Sequence, residues 1–526
     1  MSVSFNLIDH DWIPVVDQQL SPHVVSLRAL LFQAHNLNAV SGETPLETVA
    51  LLRLLLAMVY RIVDLPDEDA WAERWQAGNG QFPADEIDAY LMRPKIYPQF
   101  ELFGAGPRFF QYQPDPKAGV KSVNSLMPHF AFGNKGTLFD HHRDDELLAL
   151  TLDEAARALL VAQAFGLGGL SGLEEKFTDG PGSKGILFII RGANLFQTLM
   201  LNLAPREFRS DQTDDRPIWE QPDPFADQRT MPNGVMDVLT WPNRRIWLET
   251  QEIAQSPRVT HMRWSPGLRL SEVYHDEPMK LYTVSKEYGI RPLVFSGQRA
   301  LWRNSATIFQ LAPTAQESKG QGPLATRMLA AIHHQSGYIE ESKRYHLMAF
   351  GMVKDQASID FVRFEEMPLR IEYLLHQGVL GQLQTELAFA ETTYDDLNWA
   401  VMALARGILN PALTMKELLA DPKPEERDRA RALVQSWNVS SQYWSRLAEP
   451  FGIFVDRLPD DAATALTRWR ERVRSAALRA FERAEELARP DDRSFRTISY
   501  ARTLFFSRLN KRFEGTQNNE EVIAHE

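Results

Sequence analysis

Hydrophobic and polar positions divide this chain into two textures, and the change falls near Pro368. Beyond it, four segments carry apolar residues at intervals of three and four, the spacing of one buried helical face. They are "RIEYLLHQGVLGQLQTELAFAETTYDDLNWAVMALARGIL", "PEERDRARALVQSWNVSSQYWSRLAEPFGIFV", "DDAATALTRWRERVRSAALRAFERAEELA" and "RSFRTISYARTLFFSRLNKRF". Leu466, Trp469 and Val473 mark one such face, and Leu433 and Trp437 another. The breaks between them, "NPALTMKELLADPKP", "RLPDD" and "ARPDD", are rich in proline and aspartate. Amphipathic helices joined by short connections predict a four-helix bundle over 368–526.

Before Pro368 the pattern is mixed. "PLETVALLRLLLAMVYRIV" predicts a long helix; its apolar centre, 49–63, contains Arg53 and Arg61 and is too short to cross a bilayer. Ser26 is placed to cap a helix over "LRALLFQ", and Thr151 with Glu154 has the spacing of a capping box before "LDEAARALLVAQAF". "GILFIIRG" predicts a buried strand, followed by a helix over "NLFQTLMLNLA". From about 95 to 145, prolines, glycines and aromatics mix without a period, as in a long loop. Residues 205–345 hold short strand-like and helix-like pieces whose pairing the pattern does not fix. "GMVKDQASIDF" (351–361) lies between β-prone runs and predicts a hairpin. Its tip carries Lys354, Asp355, Gln356 and Ala357 in place of the Asn-Gly pair that a plain turn favours. The expected fold is α+β: a large mixed N-terminal domain with long loops over 1–367, then the bundle.

The 526 residues are 44% hydrophobic and 24% charged, which suits a globular chain with more than one core. There is no cysteine, which excludes disulfides and thiolate metal sites and fits a reducing cytoplasm. The first residues lack the basic and apolar regions of a signal peptide, so no membrane partner is expected. The net charge of −12 argues against nucleic acid as a partner of the whole surface. Arg468 to Arg512, however, holds 13 Lys and Arg against 6 Asp and Glu. That run reads either as a solvated helical face or as a basic surface for a phosphate backbone.

The usual catalytic patterns are missing: no Walker phosphate loop, no zinc-protease helix, no nucleophile elbow. "GPGSKG" (180–185) has the wrong spacing for a phosphate loop. "DHHRDDE" (140–146) offers His141, His142 and several acids to a metal, and a metal-dependent hydrolase or nuclease is the alternative reading. Neighbours on an extended segment point to opposite faces, which makes joint ligation awkward. In "FGLGGLSG", Gly166, Gly168, Gly169 and Gly172 follow a helix. One glycine would cap it. Four in seven residues suit a backbone that something approaches closely.

"FNLIDHDWIPV" (5–15), "GVKSVN" (119–124), "AFGNKGTL" (131–138), "GLGG" (166–169), "FIIRG" (188–192) and "DQASI" (355–359) occur in the order found in one family. The chain resembles CasA, the large subunit of the type I-E CRISPR surveillance complex, Cascade. The resemblance implies a non-catalytic, cofactor-free subunit that works with the other Cascade subunits, a CRISPR guide RNA, double-stranded target DNA and a helicase-nuclease effector. It implies that Gly166, Gly168 and Gly169 lay bare backbone against the protospacer-adjacent motif, or PAM. Gln356, flanked by Lys354 and Asp355, would be the point of a wedge inserted beside that motif. Phe132, Gly133 and Asn134 fall on the family's loop linked to the guide 5′ end and the PAM. Some members reach the minor groove with a lysine placed before the stretch matching "DEPM" (276–279). This chain has no lysine between Pro242 and Met279, so Arg263 or Arg269 is the expected substitute. The family's bundle abuts the displaced strand, a role that would fall here to Arg468, Arg472, Arg479 and Arg483. Zinc held by paired cysteines, seen in some members, is impossible here. A purely architectural helical protein without nucleic-acid contact is the third possibility.

Overall fold

The structure is a computed structural model, and it describes all residues except 1–3, 77–79, 128–147, 211–213, 298, 311–319, 341–342, 356–357, 489–493 and 524–526. Two compact units emerge. One comprises Met1–Gly297 and Ile308–Leu375, the other Gln298–Thr307 and His376–Glu526.

The first unit mixes short antiparallel sheets with helices. β1 (Ile13–Asp17) lies between β2 (Pro22–Val25) and β3 (Leu37–Val40). Ser26 caps α1 (Leu27–Phe32) through the Ala29 N–H, as the sequence predicts. α2 (Pro45–Ile62) starts at a Thr44 cap and buries nearly its whole length, so its apolar run is core. Among the described residues no helix is long and apolar enough to cross a membrane. α3 (Glu68–Gln76), α4 (Ala84–Leu91) and β4 (Val120–Ser122) lead to α5 (Leu152–Phe165). The capping box of α5 is formed in both directions: Thr151 N–H donates to Glu154 Oε2 at 2.7 Å and Glu154 N–H to Thr151 Oγ1 at 3.3 Å.

β5 (Leu187–Arg191), α6 (Leu195–Leu201) and α7 (Val235–Leu239) follow. β6 (Arg244–Ile253) and β7 (Ser256–Pro266) form a long hairpin, and β7 also pairs with β4. β8 (Tyr282–Ser285), β9 (Gly289–Pro292) and β10 (Gly320–Gln321) make a third sheet, with α8 (Ser305–Phe309) before β10 and α9 (Leu324–Ser336) after it. β11 (Arg344–Asp355) is central in the fourth sheet, between β5 and β12 (Ser358–Arg370). The far edge of β5 is covered at Phe188, whose N–H donates to Met279 O at 2.8 Å. Leu187, Phe188, Ile189 and Ile190 are all buried, so both faces of the strand are covered, which explains why "LFIIR" is apolar almost without alternation. α10 (Glu372–Leu375) ends the unit.

The second unit is helical, and it departs from a plain four-helix bundle. α11 (Gln377–Leu409) is followed by α12 (Met415–Leu419), α13 (Pro424–Ser436), α14 (Val439–Arg457), α15 (Ala462–Ala488) and α16 (Phe495–Ile523). The run "PEERDRARALVQSWNVSSQYWSRLAEPFGIFV", periodic throughout, is two helices. Asn438 adopts φ 53°, a left-handed conformation that asparagine tolerates and that ends one helix before the next begins. The core is aromatic: Trp469 stacks on Phe454 at 5.2 Å, and Trp302 on Phe451 at 4.5 Å.

Candidate nucleic-acid interface

After Phe165 the chain must leave α5 and return across its end within a few residues. Gly166 makes this possible through its size, since its φ of −54° is open to any residue. A β-carbon there would lie 2.6 Å from Ala162 O and 3.0 Å from Arg244 Nη2. The returning segment packs just as closely, with Gly180 N–H donating to Gly166 O and Gly182 N–H to Ala164 O, both at 2.7 Å. The glycines of "GPGSKG" therefore serve packing against the helix end. Between these limbs Gly169 and Phe177 exchange two backbone hydrogen bonds, at 3.0 and 2.9 Å, and close off a projecting loop. On it Gly169 is exposed, with no atom within 4 Å of where a β-carbon would sit, and Leu170 is 85% exposed.

A buried arginine holds this loop. Arg244, 1% exposed, donates to Leu167 O and Thr178 O, each at 2.8 Å, and so grips both limbs. Its guanidinium lies 4.6 Å from the Phe177 ring centroid. Burial pushes its pKa down to about 9, which still leaves it cationic at neutral pH.

The predicted hairpin extends well beyond 351–361. β11 and β12 pair from Arg344–Arg370 to Asp355–Ser358, with a register shift between Val353 and Lys354. Gln356 and Ala357 lie outside the described residues, as do Phe132, Gly133, Asn134 and the whole 140–146 stretch. Among the described residues no group of three or more His, Asp or Glu could hold a metal ion. Lys354 Nζ lies 3.0 Å from Asp179 Oδ2. Asp179 Oδ1 accepts the Gly168 N–H at 2.9 Å, and Lys184 Nζ stands 3.5 Å from Oδ2. Burial works to raise the Asp179 pKa, but the Gly168 N–H and the Lys354 ammonium together hold it below the usual carboxylate range. Hairpin and glycine loop thus meet at one carboxylate.

The two arginines suggested as minor-groove substitutes separate. Arg269 is exposed and borders a groove of about 500 Å³ shared with Lys176, Thr178 and Arg245, beside the glycine loop. Arg263 lies on β7 and pairs with Glu249 at 3.1 Å; it does not line that groove.

In the helical unit the basic run divides. Arg470 turns inward to Glu386 at 2.7 Å, and Arg508 and Arg512 reach Asp396 at 3.2 and 2.6 Å. Arg468, Arg472, Arg479 and Arg483 form an exposed stripe along α15. Arg479 and Arg483 pair locally with Glu482 (3.5 Å) and Glu486 (2.7 Å). Arg468, Arg472 and Arg479 line a groove of about 750 Å³ whose other wall, from α14, adds Arg446 and Arg457 over Ile453 and Phe454. Sequence reasoning missed Arg446 and Arg457, although their separation of three helical turns puts them on one face. It also missed Asp179 and Arg244, which no local signal marks.

The model of the family described as CRISPR-associated protein Cse1 matches residues 6–480. A CRISPR-associated protein CasA/Cse1 of Thermus thermophilus is 31% identical over 502 residues, covering 91% of this chain and 92% of the relative. A crystal structure of Thermus thermophilus CasA superposes with a TM-score of 0.78 at 27% identity, covering 97% of this chain and 100% of that one. A chain described as part of a CRISPR RNA-guided surveillance complex shares the fold, with a TM-score of 0.73 at 21% identity over 96% of this chain and 99% of that one. This chain belongs to the CRISPR-associated Cse1, or CasA, family.

Proposed function

We propose that the chain is the large, non-catalytic subunit of a type I-E CRISPR surveillance complex, acting in antiviral defence. Its first unit recognises the PAM from the minor groove, docks on guide RNA and neighbouring subunits, and helps open the duplex. Guide pairing then reads the remaining sequence. The helical unit flanks the displaced strand and helps recruit the helicase-nuclease.

The observation that carries this reading is the meeting of an exposed glycine loop with the root of a long hairpin at Asp179. Bare backbone at Gly169 lets a groove edge approach, and minor-groove patterns are degenerate enough for several related motifs to be accepted. Gln356 stands in sequence between the last paired residues of the hairpin, and its amide can both donate to and accept from exposed bases. Displacing a base pair costs a few kcal/mol, offset by guide pairing and backbone contacts.

Reconstituted complexes with and without this chain, assayed across a library of flanking motifs, test the proposal. Motif discrimination and duplex opening are expected only with the chain present. Equal discrimination without it, or metal-dependent cleavage by the purified chain, would overturn the reading.

The stripe on α15 carries its own prediction. Arg468→Glu with Arg472→Glu is expected to weaken target binding and flatten its log–log salt dependence by about 1.4, at roughly 0.7 per phosphate contact with a single strand. Reversing Arg479 and Arg483, already paired with glutamates, should change it less. Unchanged binding over several salt concentrations would leave the stripe as solvated surface.

A further inference from the structure

The carboxylate joining loop and hairpin has a feature that a simple structural clamp does not need: a second cation already in place. Asp179 Oδ2 holds Lys354 at 3.0 Å, while Lys184, 55% exposed, waits 3.5 Å from the same oxygen. Oδ1 is engaged separately by the Gly168 N–H. Lys354 is thus kept from presenting a free charge at the root of the hairpin. Both partners remain 20% exposed, so the pair is open to water and to competing anions. A mostly buried pair is given up only where both charges find new partners, so a phosphate can take the lysine because Lys184 stands beside the same carboxylate. When it does, Asp179 keeps the Gly168 N–H and turns to Lys184, and no buried charge is orphaned.

Resting on the function proposed above, we propose that Asp179 is a specificity-determining residue that withholds Lys354 from DNA until a duplex is seated against the glycine loop and hairpin. A lysine free from the outset would strengthen binding to every duplex alike, because phosphate contacts carry no sequence information. Sequestered, it adds affinity only where the duplex is positioned to displace Asp179. The chain's other groups near this carboxylate support the exchange. Glu272 lies 3.9 Å from Lys184 and restrains it loosely, whereas Arg244 is committed to the loop carbonyls and cannot take its place.

Asp179→Asn tests this, because the amide oxygen can still accept the Gly168 N–H while the negative charge is gone. The assembled complex is titrated with duplexes carrying and lacking the preferred motif, at several salt concentrations. For the duplex lacking the motif, about three- to tenfold tighter binding at low salt is expected, with a salt slope steeper by about 0.9. Affinity for the duplex carrying the motif should change less than about twofold, so discrimination falls. Adding Lys354→Gln should cancel the gain. Unchanged binding and slope in Asp179→Asn would overturn the inference, as would a gain that survives Lys354→Gln. Should Asp179→Asn fail to fold, Lys354→Gln alone decides: about three- to tenfold weaker binding of the motif-bearing duplex is expected, and no loss overturns the inference. A complex lacking the whole chain that binds both duplexes normally would instead overturn the function proposed, and this inference with it.

Discussion

Glu277→Ala is expected to destabilise the first unit by about 3–5 kcal/mol, the usual penalty for removing one partner of a buried ion pair. Its side chain is 1% exposed and pairs with Arg53, itself 2% exposed. Each partner is held by a further bond: Arg53 Nη2 donates to Val238 O at 2.7 Å, and Glu277 Oε2 accepts the Met279 N–H at 3.0 Å. Truncation would leave the guanidinium in the core without a counter-charge. It would also strip support from Lys280, whose ammonium burial already pushes down to about 8 while Glu277 draws it upward. Calorimetry should record a midpoint lower by roughly 4–7 °C for the unfolding of this unit. Replacing both partners, Arg53→Met with Glu277→Leu, should recover much of the loss, because an apolar pair needs no desolvation. A single variant within about 2 °C of the parent would mean that the pair is not desolvated as its burial indicates.

Sequence alone exposed those parts of the molecule whose causes are local. The Ser26 cap, the Thr151–Glu154 box and the periodic run of α15 each depend on residues within one or two turns. The β6–β7 hairpin was illegible for a specific reason. Its turn is Ala254-Gln255, at φ 50° and 63°, where Asn-Gly is the usual signal. β4 was equally hidden, since its partner β7 lies more than a hundred residues further on. At Asn438 a periodic pattern continued through a real break, because a left-handed asparagine interrupts the backbone without interrupting the hydrophobic spacing.

The candidate site divides in the same way. Glycine density flagged 166–172, but not why each glycine is there: Gly166 yields space to Ala162 and Arg244, whereas Gly169 yields it to whatever lies outside. Four arginines in one stripe were readable from helical spacing. That Arg470, Arg508 and Arg512 of the same run are ion-paired depends on Glu386 and Asp396 of α11, about eighty to a hundred and twenty residues earlier. Asp179 joins two segments 175 residues apart, and no window on the sequence could show that link.

That distinction between two glycines sets up the largest functional effect expected. On the proposed reading, Gly169→Asp should weaken target binding by about 30-fold or more, since a carboxylate set against phosphate costs about 2 kcal/mol or more. The substitution has room within the protein, with nothing inside 4 Å of the new β-carbon. The backbone there, at φ 159°, makes any side chain cost about 1–2 kcal/mol, a loss confined to an exposed loop. Gly169→Ala carries that backbone cost without the charge, and should therefore bind far closer to the parent. Gly166→Val should do the reverse. Its new atoms would press on Ala162 O and Arg244, lowering the thermal midpoint and loosening the loop from within. Binding titrations of the assembled complex, paired with thermal unfolding of each variant, separate the two cases. A folded Gly169→Asp variant with target affinity within twofold of the parent would mean that this loop does not face DNA. The meeting of loop and hairpin at Asp179 would then be a matter of folding alone.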